Sequence, residues 1–127
     1  MVLLTGWPIY NVDRSYYIDF VHNNYLTYIT EKDRVVLISP CEVRASVPHG
    51  AIKLDLEKVL VEPIGNYRSY AESILFIKQF YSAIKKHHGD SFYCRFPDPF
   101  VWMPSLLFNS KSIIHIVGDP IETLWSD

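Results

Sequence analysis

Asp119 closes the run Ile113-Ile-His-Ile-Val-Gly-Asp119. A carboxylate just past an apolar strand can act as a general base or accept a hydrogen bond from a sugar hydroxyl. With Pro120 and Glu122 it also fits a capping box with proline at the first helical position, and the two roles are compatible. Arg95 ends another apolar run, Ser91-Phe-Tyr-Cys-Arg95. A guanidinium there suits a phosphate or carboxylate gripped by two hydrogen bonds, or a pairing with Asp98 or Asp119 that fixes the loops. Tyr16, Tyr17 and Trp125 carry ring faces that can stack on sugars or pack in a core. His87 and His88 are adjacent, so they point apart and read as cations at a helix end. His115 lies inside a strand and reads as a core histidine, and no metal site is expected.

Other chemistries are excluded by what stands in their places. Gly6 belongs to neither a G-x-G-x-x-G turn nor a P-loop with its lysine, so this chain is not expected to bind a dinucleotide or ATP. A phosphoacceptor receiver needs acids after the first strand, where this chain has Gly6-Trp7-Pro8. Cys41 and Cys94 lack the spacing of a zinc site. Six residues beyond them stand Val47 and Phe100, not the arginine of a cysteine phosphatase. They read as buried thiols of a reducing compartment. The net charge of −2, without a basic stripe, argues against nucleic acid as a partner.

The elements that must position these residues are those of one domain spanning 1–127, with 49% apolar and 20% charged residues. At this length a chain buries roughly two thirds of its unfolded surface and needs no staples. No run reaches about 18 apolar residues and no secretory leader is evident, so a cytoplasmic protein is expected, with a peripheral membrane contact left open.

Val2-Leu-Leu-Thr5 predicts a first strand. Asp13 predicts the cap of a helix through Tyr16, Tyr17, Phe20, Val21, Leu26 and Ile29. Arg34–Ser39 predicts a buried strand stopped by Pro40, followed by a loop over 41–51. Lys58–Glu62 predicts a third strand. Ser69-Tyr-Ala-Glu72 is a capping box opening a helix whose apolar stripe is Ile74, Ile77, Tyr81 and Ile84, stopped at Gly89. Ser91–Arg95 is a fourth strand, a short helix runs through Val101, Leu106 and Leu107, and Ser112–Val117 is a fifth strand. This rhythm predicts an α/β fold: an open, mostly parallel Rossmann-like sheet of about five strands, helices on both faces. In such sheets ligands bind beyond the carboxyl ends of the strands. That aligns Gly6-Trp7, Arg95-Phe-Pro and Gly118-Asp119 along one edge.

The segments Ser91-Phe-Tyr-Cys-Arg-Phe-Pro-Asp-Pro-Phe100 and Ile113-Ile-His-Ile-Val-Gly-Asp-Pro120 resemble the amino-terminal domain of family-4 glycosyltransferases of the GT-B fold. Bacterial members that assemble polysaccharides often carry an Arg-x-Pro-x-Pro segment and a strand ending in Val-Gly-Asp. The resemblance implies a two-domain enzyme in which this domain binds a glycan or lipid-linked acceptor and a second domain holds the nucleotide-sugar donor. It implies that Gly6, Arg95, Gly118 and Asp119 face the cleft. With the aromatic candidates, the expected acceptor-binding residues are Gly6, Trp7, Tyr17, Arg95 and Gly118, and Asp119 is the candidate catalytic residue. No cofactor is expected in this chain itself.

Two features depart from the family. Gly118 stands where many relatives have a histidine, so no catalytic histidine carries over. The second domain, with its paired acids and basic residues, is not in the sequence. An expressed fragment, a truncated gene product or one subunit of a split enzyme is therefore expected, inactive alone and prone to form a homodimer. The alternative is a non-enzymatic α/β interaction module.

Overall fold

Val35-Val-Leu-Ile has the β-branched composition of a strand buried on both faces, and it opens the longest of the described strands. The computed structural model describes residues 1–31, 33–96 and 100–116. In chain order its elements are β1 (Val2–Leu4), β2 (Ile9–Val12), β3 (Ser15–Asp19), α1 (Phe20–Thr30), β4 (Val35–Val43), β5 (Ala51–Lys53), β6 (Val59–Ile64) and α2 (Tyr70–Ser73). A 3-10 turn (Ile74–Phe76), α3 (Ile77–Lys86), β7 (Phe92–Phe96), α4 (Met103–Phe108) and β8 (Ser112–Ile116) complete the described chain. The strands form one open, mixed sheet of eight rather than about five.

Five of the eight form an unbroken parallel run in the order β6-β4-β1-β7-β8, and β2 also pairs with the end of β4 in parallel. Numbered among themselves they run 3-2-1-4-5, the order of doubly wound α/β sheets. Alternate residues face opposite sides, as the two-residue period of a strand requires. Val2, Leu4, Ile38, Phe92 and Cys94 pack against Phe80 and Ile84 of α3 and Met103 of α4. Leu3, Val35, Leu37 and Val59 pack on the other face, with Leu26 of α1. Each such fully buried side chain contributes about 1.5–3 kcal/mol.

The three additional strands correct the sequence reading. Asp13 does not cap a helix. With Arg14 it forms the two-residue turn of a β2–β3 hairpin, both residues at positive φ (50° and 67°) as a type I′ turn requires. Tyr16 and Tyr17 therefore lie in a strand, and the helix starts later, capped by the Asp19 carboxylate accepting from the Val21 N–H at 3.0 Å. Residues 41–51 are not a simple loop. β4 runs through Pro40 to Val43, and β5 begins at Ala51 and pairs with β3.

Proline is tolerated inside β4 for a visible reason. The Val36 N–H reaches Met1, so even-numbered residues of β4 direct their backbone groups toward β1. The missing N–H of Pro40 thus falls opposite Thr5–Pro8, where β1 has ended and β2 has not begun. In β6, Lys58 offers its carbonyl to β4, so Pro63, of opposite parity, faces the open edge.

The capping box is present, one residue displaced in its return bond. Ser69 Oγ accepts from the Glu72 N–H at 3.2 Å, and the Glu72 carboxylate accepts from the Arg68 N–H at 2.7 Å. Of the expected stripe beyond it, only Ile84 is buried. Phe80, Ala83 and Ile84 face the core, so the buried arc lies to one side of the expected stripe and leaves Ile77 and Tyr81 exposed at its flank, with Ile74 exposed in the 3-10 turn ahead of it. Gly89 does not terminate the helix. α3 ends earlier, its cap His87 donating its N–H to Ile84 and Lys85. In the last helix Val101 is buried just ahead of α4, but Leu106 and Leu107 are exposed. Val117 lies outside the described residues.

Candidate functional site, a fork in the sheet

β1 and β2 are two pieces of one line. Val2–Leu4 pair with Val36–Ile38, and Ile9–Asn11 pair with Cys41–Val43, so Thr5–Pro8 bulge out opposite Ser39 and Pro40. The bulge is held by buried hydroxyls. Thr5 Oγ1 accepts from the Trp7 N–H at 3.1 Å and shares a 2.8 Å hydrogen bond with Ser39 Oγ. On the side away from β4, β7 pairs with β1 and β3 pairs with β2. The sheet therefore forks at the bulge, beyond the carboxyl end of β1, where ligands of such sheets bind.

The fork collects several of the expected residues. Gly6 and Trp7 form its base. Arg95 lies one residue beyond Cys94, the partner of Leu4, and its backbone pairs with His115; its side chain is outside the described set. β8 reaches Ile116 at the same edge, and Gly118 and Asp119, with Trp125, lie outside the described residues. Trp7 is buried, its ring stacked on His22 at 4.5 Å and edge-on to Tyr25 at 5.5 Å, so it supports the fork from the α1 side. The Tyr25 hydroxyl donates to that of Tyr93 at 3.1 Å, tying α1 to β7.

Tyr17 lies on the antiparallel arm of the fork, within a row the sequence did not reveal. Glu42 is the partner of Tyr10, Tyr10 of Tyr17, and Tyr17 of Lys53, so Glu42, Tyr10, Tyr17 and Lys53 stand side by side across β4, β2, β3 and β5. The adjacent row, Cys41, Ile9, Ile18 and Ile52, belongs to the opposite face, where Ile9 and Ile18 are buried in the core. The Arg44 guanidinium lies 5.7 Å from the Tyr10 ring centre. At about 4.8 Å per strand the row spans roughly 14 Å. Two phenol rings flanked by a carboxylate, a guanidinium and an ammonium can hold a polyhydroxylated ligand by stacking and hydrogen bonds. A hairpin would have exposed this row in the sequence, but Asp13-Arg14 lacks the Asn-Gly or Asp-Gly signature of its turn.

A second polar cluster lies on the far edge of the parallel sheet. Glu62 of β6 accepts from Lys86 Nζ at 2.9 Å and shares a 3.2 Å hydrogen bond with His87 Nε2. Burial alone would raise the Glu62 carboxyl, but the hydrogen bonds and charges of Lys86 and His87 outweigh it and hold it below its ordinary value. Cys41 is free, and burial pushes its thiol up, away from the nucleophilic thiolate. Among the described residues no three of His, Cys, Asp and Glu are grouped to hold a metal ion. None of their helices is long and apolar enough to cross a membrane.

No protein-family profile, curated protein or solved structure matches the chain.

Proposed function

We propose that this chain is the acceptor-side part of a nucleotide-sugar-dependent glycosyltransferase of glycan or polysaccharide assembly, inactive alone. The nucleotide-sugar donor is held by a further domain or partner subunit, and a glycan or lipid-linked acceptor lies on the fork. The observation that carries this reading is the row Glu42, Tyr10, Tyr17 and Lys53 at the carboxyl end of the parallel strands. The strand order 3-2-1-4-5 supports the Rossmann-like architecture that the reading requires. Gly6, Arg95, Gly118 and Asp119 stay with this reading as cleft residues, Asp119 as the base. The protein works in the cytoplasm, peripheral to a membrane where its acceptor is lipid-linked.

The test is glycan binding monitored by NMR of the tyrosine-bearing strands. Tyr17→Ala is expected to weaken binding about two- to tenfold, one ring contact being worth roughly 0.5–1.5 kcal/mol. Circular dichroism should stay unchanged, because Tyr17 is only half-buried. If no glycan perturbs Tyr10 or Tyr17, the acceptor reading fails and the interaction-module reading takes its place. That second reading draws on β8, where Ile113 and Ile114 are 59% and 48% exposed, as a surface for a second copy of the chain.

A further inference from the structure

The solvent side of α3 concentrates charge of one sign. Its sequence, Ile77-Lys-Gln-Phe-Tyr-Ser-Ala-Ile-Lys-Lys86, holds three lysines and no acid in a chain whose net charge is −2. Phe80, Ala83 and Ile84 anchor the helix to the sheet. At 100° per residue, Lys78 and Lys85 fall together on the outer side, next to Ile77 and Tyr81. Those two side chains are 40% and 42% exposed, and they share a shallow groove of about 380 Å³ with Lys78 and Ser82. Lys85 Nζ lies 6.0 Å from the Tyr81 ring centre. Lys86 is engaged by Glu62, and the Glu72 carboxylate is drawn to the Arg68 N–H, away from the lysines.

Just ahead of α3 the 3-10 turn projects two aliphatic side chains. Ile74 is 63% exposed and Leu75 79%. They stand out from the surface, a shape suited to entering a deformable medium rather than to matching a preformed pocket. Protruding aliphatics, an interfacial tyrosine and lysines on long apolar stems are the composition of a helix lying against lipid headgroups. Clustered lysines without acids add attraction to anionic lipid.

The patch also lies at a meaningful end of the molecule. Gly65, just past β6, donates its N–H to Gln79 at 2.8 Å, while Glu62 meets Lys86 near the end of α3. α3 thus runs antiparallel to β6, and its start lies at the carboxyl end of the parallel strands, the end that carries the fork.

We infer that Ile74, Leu75, Ile77, Lys78, Tyr81 and Lys85 form a surface that docks on anionic lipid membranes. The inference deepens the reading of a lipid-linked acceptor, because docking there brings the fork to the membrane, but it does not require sugar binding.

The experiment is co-sedimentation of the full chain with vesicles of phosphatidylcholine alone, and of phosphatidylcholine mixed with phosphatidylglycerol. Neither contains glycan, so the outcome is independent of acceptor binding. Binding is expected only to the mixed vesicles, and it should weaken as salt is added. Lys78→Gln and Lys85→Gln should each weaken it about fivefold, the equivalent of about 1 kcal/mol per lysine near an anionic surface. Leu75→Ser should weaken it by a similar factor, and Lys111→Gln should leave it unchanged. All these positions are exposed, so the variants are expected to keep the wild-type circular dichroism. Failure to bind mixed vesicles overturns the inference, as does binding that survives loss of both Lys78 and Lys85. Capture on immobilised polyglutamate without vesicle binding would also overturn it, in favour of an acidic protein partner.

Discussion

Glu62 has one oxygen facing two donors, and that fixes the sign of its effect on stability. Its carboxyl titrates below its ordinary 4.5 because Lys86 and His87 outweigh the cost of burial. A group depressed in the folded state stabilises above its unfolded value and loses that contribution as pH falls through the folded one. The protein should therefore lose stability as pH drops below about 4.5, and Glu62→Gln should remove part of that slope. At neutral pH the substitution should cost less than about 1 kcal/mol, because the Lys86 side chain is 64% exposed. Urea unfolding of both proteins at neutral and acid pH measures this, and parallel acid limbs would remove Glu62 from the account. Single residues were unevenly legible. Tyr17 could be named from its type, because aromatic faces suit sugars wherever they stand. Tyr10, Glu42 and Arg44 acquire meaning only through cross-strand pairing, which spacing along the chain does not contain.

Elements were legible where their signal was local. The capping box at Ser69 and Glu72 acts within four residues, and the structure has it. The apolar stripe was only partly right: Ile84 is buried, but Ile74 lies in the 3-10 turn ahead of α3, and the arc that α3 buries centres on Phe80, Ala83 and Ile84, which leaves Ile77 and Tyr81 at its exposed flank. The close approach behind that turn is testable. A Cβ on Gly65 would overlap the Phe76 ring, which is partly buried against the α3 face of the core. Gly65→Ala should destabilise the protein by about 1–3 kcal/mol, the usual cost of overpacking, and lower the urea midpoint without changing the slope. A second variant, Gly65→Ala with Phe76→Leu, should recover part of the loss. No loss in the single variant would show that Phe76 swings aside freely and does not fix the start of α3.

At the scale of the molecule, the parallel strands could be read from their sequence of apolar runs, and five of the eight were. The antiparallel arm could not, because β4 passes through a proline that normally stops a strand, and the compensating bulge at Thr5–Pro8 lies far away in sequence. The same reasoning about edges predicts self-association. β6 turns Pro63 outward, which denies a partner one backbone donor. β8, the other end of the parallel set, has neither proline nor lysine, and it leaves Ile113 and Ile114 exposed. Such an edge invites pairing with a second copy. Burying one isoleucine contributes about 1.5–3 kcal/mol, so Ile113→Lys should weaken a dimer roughly tenfold or more while leaving the monomer folded. Light scattering across a concentration series measures both proteins. A wild-type chain that stays monomeric at the highest concentration, or a variant that dimerises equally well, would place the association elsewhere. A dimer lost with Ile113 but kept in Leu75→Ser would separate the protein-binding edge from the lipid-facing side of α3, and so assign these two apolar surfaces to different partners.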